Sequence, residues 1–168
     1  MKIGIDIMGG DFAPGKTVHG AILAQKELPQ GTEIVLFGNK EDILSELKSY
    51  NITEDLFEII DCKEVISMGE HAVKALKQKP NSSISVGFHY LASSQIDGFA
   101  SAGNTGAMFA GGFFSVKSIS GVIRPCISSV LPKENGSVGI LLDVGANTDC
   151  KADVLYQFGI LGSLFAKH

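Results

Sequence analysis

Apolar and polar positions follow two rhythms along this chain. Residues 2–7 form a near-continuous apolar run ending at the polar turn 8–11, which predicts a buried strand. Residues 17–28 switch to helical spacing, with Val18, Ala21, Ile22 and Ala24 on one side. A second strand is expected over 33–37, closed by Gly38 and Asn39, and then an amphipathic helix over 41–50 through Ile43, Leu44 and Leu47. A third strand is expected over 57–60. A charged helix over 70–79 stops before Pro80, because proline pushes the preceding residue out of the helical region. Ser82 or Ser83 can cap the next helix, which runs to about Ser93. Residues 96–100 read as a short strand, 101–106 as a break, and a helix continues through Met108, Phe109 and Phe113. Two more strands, 127–131 and 137–144, are joined by the polar turn 132–136, and 153–167 is a helix that is apolar nearly all round.

Strands alternating with helices imply βαβ units, hence an α/β fold of three layers, a mostly parallel sheet with helices on both faces, over a single domain 1–168. Ligands in such sheets bind beyond the carboxyl ends of the strands. Three loops belong at that edge: 8–11, 101–106 and 143–149. The last helix carries Leu155, Phe158, Ile160, Leu161, Leu164 and Phe165 around its circumference, so a partner chain or further sequence is expected to cover it.

Composition narrows the class. Apolar residues at 45% with 19% charged describe a soluble globular protein, and a net charge of −4 gives no basic excess for nucleic acid. Cys62, Cys126 and Cys150 lack CxxC spacing, which predicts reduced thiols in a cytoplasmic protein, with neither disulfide nor zinc site. No signal segment is expected after Lys2, and the longest apolar run, near 158–166, falls short of a membrane span. His19, His71, His89 and His168 accompany no nucleophile motif, and no metal or cofactor is called for.

The stretch Ser101-Ala-Gly-Asn-Thr-Gly106 ends a strand and opens a helix. It gathers unpaired N–H groups and hydroxyls at the positive end of a helix dipole, where an anion such as phosphate is well held. The other reading is a glycine-rich turn with Asn104 or Thr105 as the helix cap. A competing phosphate motif, Gly10-Asp-Phe-Ala-Pro-Gly-Lys-Thr17, matches the P-loop pattern of nucleoside triphosphatases, with Ile140-Leu-Leu-Asp143 available to hold magnesium. Pro14 removes a donor that such a cradle needs, and Asp11 sets a carboxylate inside a loop meant for phosphates. A non-catalytic phosphate-binding module is a third reading.

Five ordered motifs resemble the phosphate acyltransferase family of bacterial phospholipid synthesis: Asp6-Ile-Met-Gly-Gly-Asp11 with Pro14, Ser82-Ser83, Ser101 to Ala107, Arg124-Pro125, and Leu142 to Cys150 with Gln157-Phe158 and Gly162. The resemblance implies a fold like those of phosphotransacetylase and isopropylmalate dehydrogenase, a homodimer, and transfer of a fatty acyl group from acyl carrier protein to inorganic phosphate. It implies Asn104, Asp6 and Asp143 as catalytic, and Gly9, Gly10, Asp11, Ser101, Gly103, Thr105, Gly106, Arg124 and Asn147 as substrate contacts. It also implies that 1–168 is the amino-terminal portion of a longer cytoplasmic enzyme, peripheral at the membrane, with a downstream membrane acyltransferase as a possible partner. For Asp6 and Asp143 a structural role, accepting N–H bonds from the neighbouring loop, stays open. Arg124 is alternatively an ion pair fixing its turn, Asn147 a turn residue, and Cys150 a structural thiol or an acyl carrier. Lys74, Lys77 and Lys79 either meet the acidic carrier or form a solvated face.

Overall fold

The computed structural model describes residues 1–167, so His168 lies outside the described residues. Contacts divide the chain into two compact units, Met1–Val116 and the segment from Lys117 onward.

The first unit carries β1 (Lys2–Asp6), α1 (Gly15–Glu27), β2 (Glu33–Gly38), α2 (Lys40–Ser49), β3 (Glu58–Asp61), α3 (Ala72–Gln78), α4 (Ser83–Ala92), β4 (Gly98–Ala100) and α5 (Thr105–Ser115). Its strands form a parallel sheet in the order β3-β2-β1-β4, with Ile5 opposite both Leu36 and Ala100. Period-two alternation assigns the two faces. Ile34 and Leu36 of β2 pack with Val18, Ile22, Ile43 and Leu47 of α1 and α2, whereas Val35 and Phe37 pack with Ile96, Val86 and Tyr90 on the α4 side. Helices therefore cover both faces, as the βαβ rhythm predicts. Close approach on the α4 side depends on Gly87, where a Cβ would come within 2.2 Å of the Phe99 ring.

Observed elements follow the expected ones to within one or two residues at most ends. Several ends shift by two residues, among them α3, which begins at Ala72 and not at 70. Glu70 is held in the preceding turn: its N–H donates to the Ser67 carbonyl, and its carboxylate accepts from the Ser67 N–H and Lys79. Ser82, not Ser83, caps α4 by accepting from Ser85 N–H.

The second unit pairs β5 (Ser128–Pro132) with β6 (Val138–Leu142) as an antiparallel hairpin around the expected polar turn. The helix α6 (Ala152–Phe165) buries Val154 and Phe158 and leaves Leu155, Tyr156, Ile160 and Leu164 exposed. Among the described residues no helix is long and apolar enough to cross a membrane.

Candidate functional site

Parallel pairing sets the carboxyl ends of β1 to β4 along one edge. From β1 the chain moves outward to β2 and β3, then returns to lay β4 on the opposite side of β1. The order reverses between β1 and β4, and a doubly wound sheet opens its ligand crevice at such a reversal. The loops that follow β1 and β4 are 7–14 and 101–104.

These two loops are locked together through a buried carboxylate. Asp6, 1% exposed, accepts from Met8 N–H at 3.0 Å on one oxygen and from the Ser101 hydroxyl at 2.6 Å on the other. Ser101 in turn accepts from Gly103 N–H at 2.9 Å. Gly9 presses onto this pair so closely that a Cβ would sit 2.6 Å from both Asp6 Oδ2 and Gly103 N. Gly10, at φ +105°, turns the chain beside Ala102. The structure thus brings Asp6, Gly9, Gly10, Ser101 and Gly103 into one cluster, with Asp11 exposed on the first loop. Asp6 holds the loops in the manner of the structural alternative.

Asn104 is 5% exposed and caps α5, its Oδ1 accepting from Ala107 N–H at 2.9 Å. Its Nδ2 donates to the carbonyls of Ser67, Met68 and Glu70 at 3.0, 3.2 and 3.0 Å. Both ends of the amide are engaged inside the protein, so this geometry offers no Asn104 donor to an oxyanion. Its role in the first unit is to tie the 67–70 turn to the start of α5. The exposed donors are one residue further on. Thr105 and Gly106 begin α5, lie at the surface, and their N–H groups have no acceptor among the described residues. Gly106 stands against Ala72, where a Cβ would meet Ala72 Cβ at 3.1 Å.

The 67–70 turn was invisible to motif reading. A clasp holds it: Lys79 Nζ donates to Glu70 at 2.7 Å and to the Val65 carbonyl at 2.7 Å. Hydrogen bonds from Lys79 and from Ser67 N–H hold the Glu70 carboxyl below the usual carboxylate range. Lys79 therefore leaves the set of candidate carrier contacts, and no periodic signal links positions 70 and 79 to Asn104.

The 10–17 stretch does not form a phosphate cradle. Lys16 N–H donates to the Phe12 carbonyl and Ala13 N–H to that of Gly10. The Thr17 hydroxyl is spent on Ile7 and Pro14 carbonyls at 2.6 and 2.8 Å. Donors that a P-loop aims at phosphates are here turned inward.

In the second unit, Asp143 sits at φ +59° after β6 and accepts from Asn147 N–H at 3.2 Å and Asn147 Nδ2 at 2.9 Å. Asn147 Nδ2 also donates to the Pro125 carbonyl. Arg124 donates to the Asp149 carbonyl at 3.0 Å and lies 3.9 Å from its carboxylate. Gln157, half-buried on α6, ties back to Ile123 and Gly121. Burial pushes the Cys126 thiol up, with the Asp143 charge adding to it. In the first unit, burial pushes Cys62 up to about 12, helped by Asp61 and Asp6. His19 stacks on Tyr50 with ring centroids 4.8 Å apart. Among the described residues no group of His, Cys, Asp and Glu could hold a metal ion.

The family pattern described as "Fatty acid synthesis protein" matches residues 1–168. The chain belongs to that family. Among its relatives, proteins named phosphate acyltransferase from Endomicrobium trichonymphae and Caldicellulosiruptor saccharolyticus are each 45% identical to it, over 99% of this chain and 50% and 49% of theirs. The chain thus spans about half the length of the relatives it matches. Among solved structures, a phosphotransacetylase from Streptococcus pyogenes superposes with TM-score 0.69 at 20% identity, over 95% of this chain and 51% of that one. The EutD phosphotransacetylase from Staphylococcus aureus gives 0.60 at 14%, over 94% and 50%. At these identities the structural likeness bears out the α/β fold and nothing finer.

Proposed function

We propose that the whole protein to which this family chain corresponds transfers a fatty acyl group from acyl carrier protein to inorganic phosphate, giving an acyl phosphate for phospholipid synthesis. One observation carries the reading on this chain: exposed, unpartnered N–H groups of Thr105 and Gly106 at the β1–β4 reversal. The relatives named phosphate acyltransferase supply the reaction class.

In this reading a phosphate oxygen attacks the thioester carbonyl, the C–S bond breaks, and the proton lost by phosphate goes to the departing carrier thiolate. Phosphate is already a competent nucleophile at neutral pH, so the protein mainly orients it and stabilises the developing oxyanion. The Thr105 and Gly106 N–H groups and the Thr105 hydroxyl are the donors, reinforced by the dipole of α5. Asp6 and Ser101 act as positioning residues that fix the Gly9–Gly10 and Gly103 backbone beside them. Asp11 faces solvent on the same loop and is assigned to the entering substrate. Within the second unit, Arg124 is assigned as a bidentate contact for a phosphate group, with Asp143 and Asn147 holding their own loop. A cytoplasmic homodimer, peripheral at the membrane and passing its product to a membrane acyltransferase, completes the proposal.

The test uses the full-length protein with palmitoyl–acyl carrier protein. Thiol release that requires phosphate, with hydroxylamine trapping one hydroxamate per thiol, is the expected result. Thiol release without phosphate, or nucleotide hydrolysis in its place, overturns it.

A further inference from the structure

The second unit holds a pair of thiols that the acyl-transfer reading leaves unused. Cys126 precedes β5 and Cys150 precedes α6, and both are free and half-buried. The segments that carry them are tied to each other on either side of Cys126. The Ile127 carbonyl accepts from Asp143 N–H at 2.7 Å and from Val144 N–H at 3.3 Å. Asn147 Nδ2 donates to the Pro125 carbonyl at 3.2 Å, and Arg124 donates to the Asp149 carbonyl at 3.0 Å. Both sulfurs then meet Asp143. The Cys150 thiol donates to Asp143 Oδ2 across 4.0 Å, and Asp143 N–H reaches Cys126. The charge of an ionised Cys150 is felt at Cys126 as well. A disulfide needs Cα atoms within about 7 Å, and ties at 124, 125 and 127 with a shared contact at Asp143 favour that approach. Cys62 has no such neighbour: it lies in the core of the first unit, its thiol donating to the Ile60 carbonyl at 3.4 Å.

The two thiols and Asp143 do not converge into a metal-holding set among the described residues. Disulfides that form in reducing compartments are mostly transient, catalytic or redox-sensing. We propose that Cys126 and Cys150 form a reversible oxidation site, closed to a disulfide by a hydroperoxide and reopened by a thiol reductant. The Cys150 sulfur attacks one peroxide oxygen and the O–O bond breaks. The thiol proton leaves with the departing oxygen, and Cys150 becomes a sulfenic acid. The Cys126 sulfur then attacks that of Cys150, the S–O bond breaks, and water departs with the Cys126 proton. The two sulfurs together lose two electrons, and the peroxide gains them. Burial, with the Asp143 charge, pushes the Cys126 thiol up, which suits it to the second, resolving attack. Closing the bond costs Cys150 its contact with Asp143 and fastens the 143–150 loop to the start of β5. This inference concerns the thiols alone and stands independently of the acyl-transfer reading.

The full-length protein is treated with hydrogen peroxide, its remaining thiols are blocked with N-ethylmaleimide, and the digest is mapped by mass spectrometry. Expected is a pair of peptides joined through Cys126 and Cys150, lighter by two hydrogen atoms than the separate thiols and released by dithiothreitol. Cys126→Ser should stop the reaction at a Cys150 sulfenic acid that dimedone traps, whereas Cys150→Ser should leave Cys126 open to N-ethylmaleimide. Should either serine variant melt lower than wild type, the wild-type peptide map decides alone. Linkage of either residue to a different cysteine overturns the proposal, as does separate oxidation of both to sulfinic acid. So does a link that appears only after urea has unfolded the chain, or two intact thiols at a peroxide concentration that oxidises free cysteine.

Discussion

The Thr105→Pro substitution tests the proposed anion contact apart from helix formation, because position 105 is the first residue of α5. Proline is favoured there, and Asn104 before it already has the extended backbone that a following proline requires, at φ −63° and ψ 106°. The substitution removes one exposed N–H and the hydroxyl. Expected is a melting temperature close to wild type with turnover reduced about 10²-fold, read by thiol release. Asn104→Ala should behave the opposite way. It deletes the cap and leaves three carbonyls of the 67–70 turn without their donor, so urea unfolding should show a loss of about 2–3 kcal/mol. If Asn104 served only an oxyanion, stability would be untouched. Ser101→Ala leaves one oxygen of buried Asp6 unpartnered, with an expected loss of about 1–3 kcal/mol by the same measurement.

At the level of elements, the hydrophobic rhythm was enough to place strands and helices, because burial on a given face dictates residue type locally. Val18, Ala21 and Ile22 mark the inner stripe of α1, and they are its buried residues. The hairpin of β5 and β6 was legible from the polar turn between two apolar runs. The clasp beneath α3 was not, since Asn104 meets Ser67, Met68 and Glu70 across 34–37 residues and nothing in the pattern encodes that meeting. The glycines of 101–106 and 8–11 announced a rim, yet which donors face outward depends on where the Asn104 side chain turns. The clasp has a pH signature. Glu70 is held below its unfolded value, so its stabilisation is present above about pH 4.3 and is lost as pH falls through the folded value. The stability gap between wild type and Glu70→Gln should therefore close on acidification below that range, measured by urea titrations at several pH values.

Across the whole molecule, the sheet of the first unit and the hairpin of the second have separate pairings, so the α/β character rests on residues 1–116. Family membership fits that architecture, and the two phosphotransacetylases share it at low identity. If phosphate binds the folded protein alone, a hundredfold excess over its dissociation constant should stabilise the full-length protein by about 2.7 kcal/mol, visible as a raised melting temperature. Cys62 reports on integrity of the same core. With its thiol pushed up to about 12 by burial, it should resist iodoacetamide at pH 8 until the sheet opens, as followed by mass spectrometry.

Because β4 pairs with β1, the hydroxyl that partners Asp6 arrives 95 residues after it. During synthesis at roughly 5–20 residues per second, the first strand waits on the order of ten seconds for its second neighbour. Through that interval a charged carboxylate and an open flank of backbone groups stay wet, and the ribosome-bound chain has no finished rim. The joined rim of β1 and β4 is thus a late event in the life of the chain, made by closing its longest sheet contact.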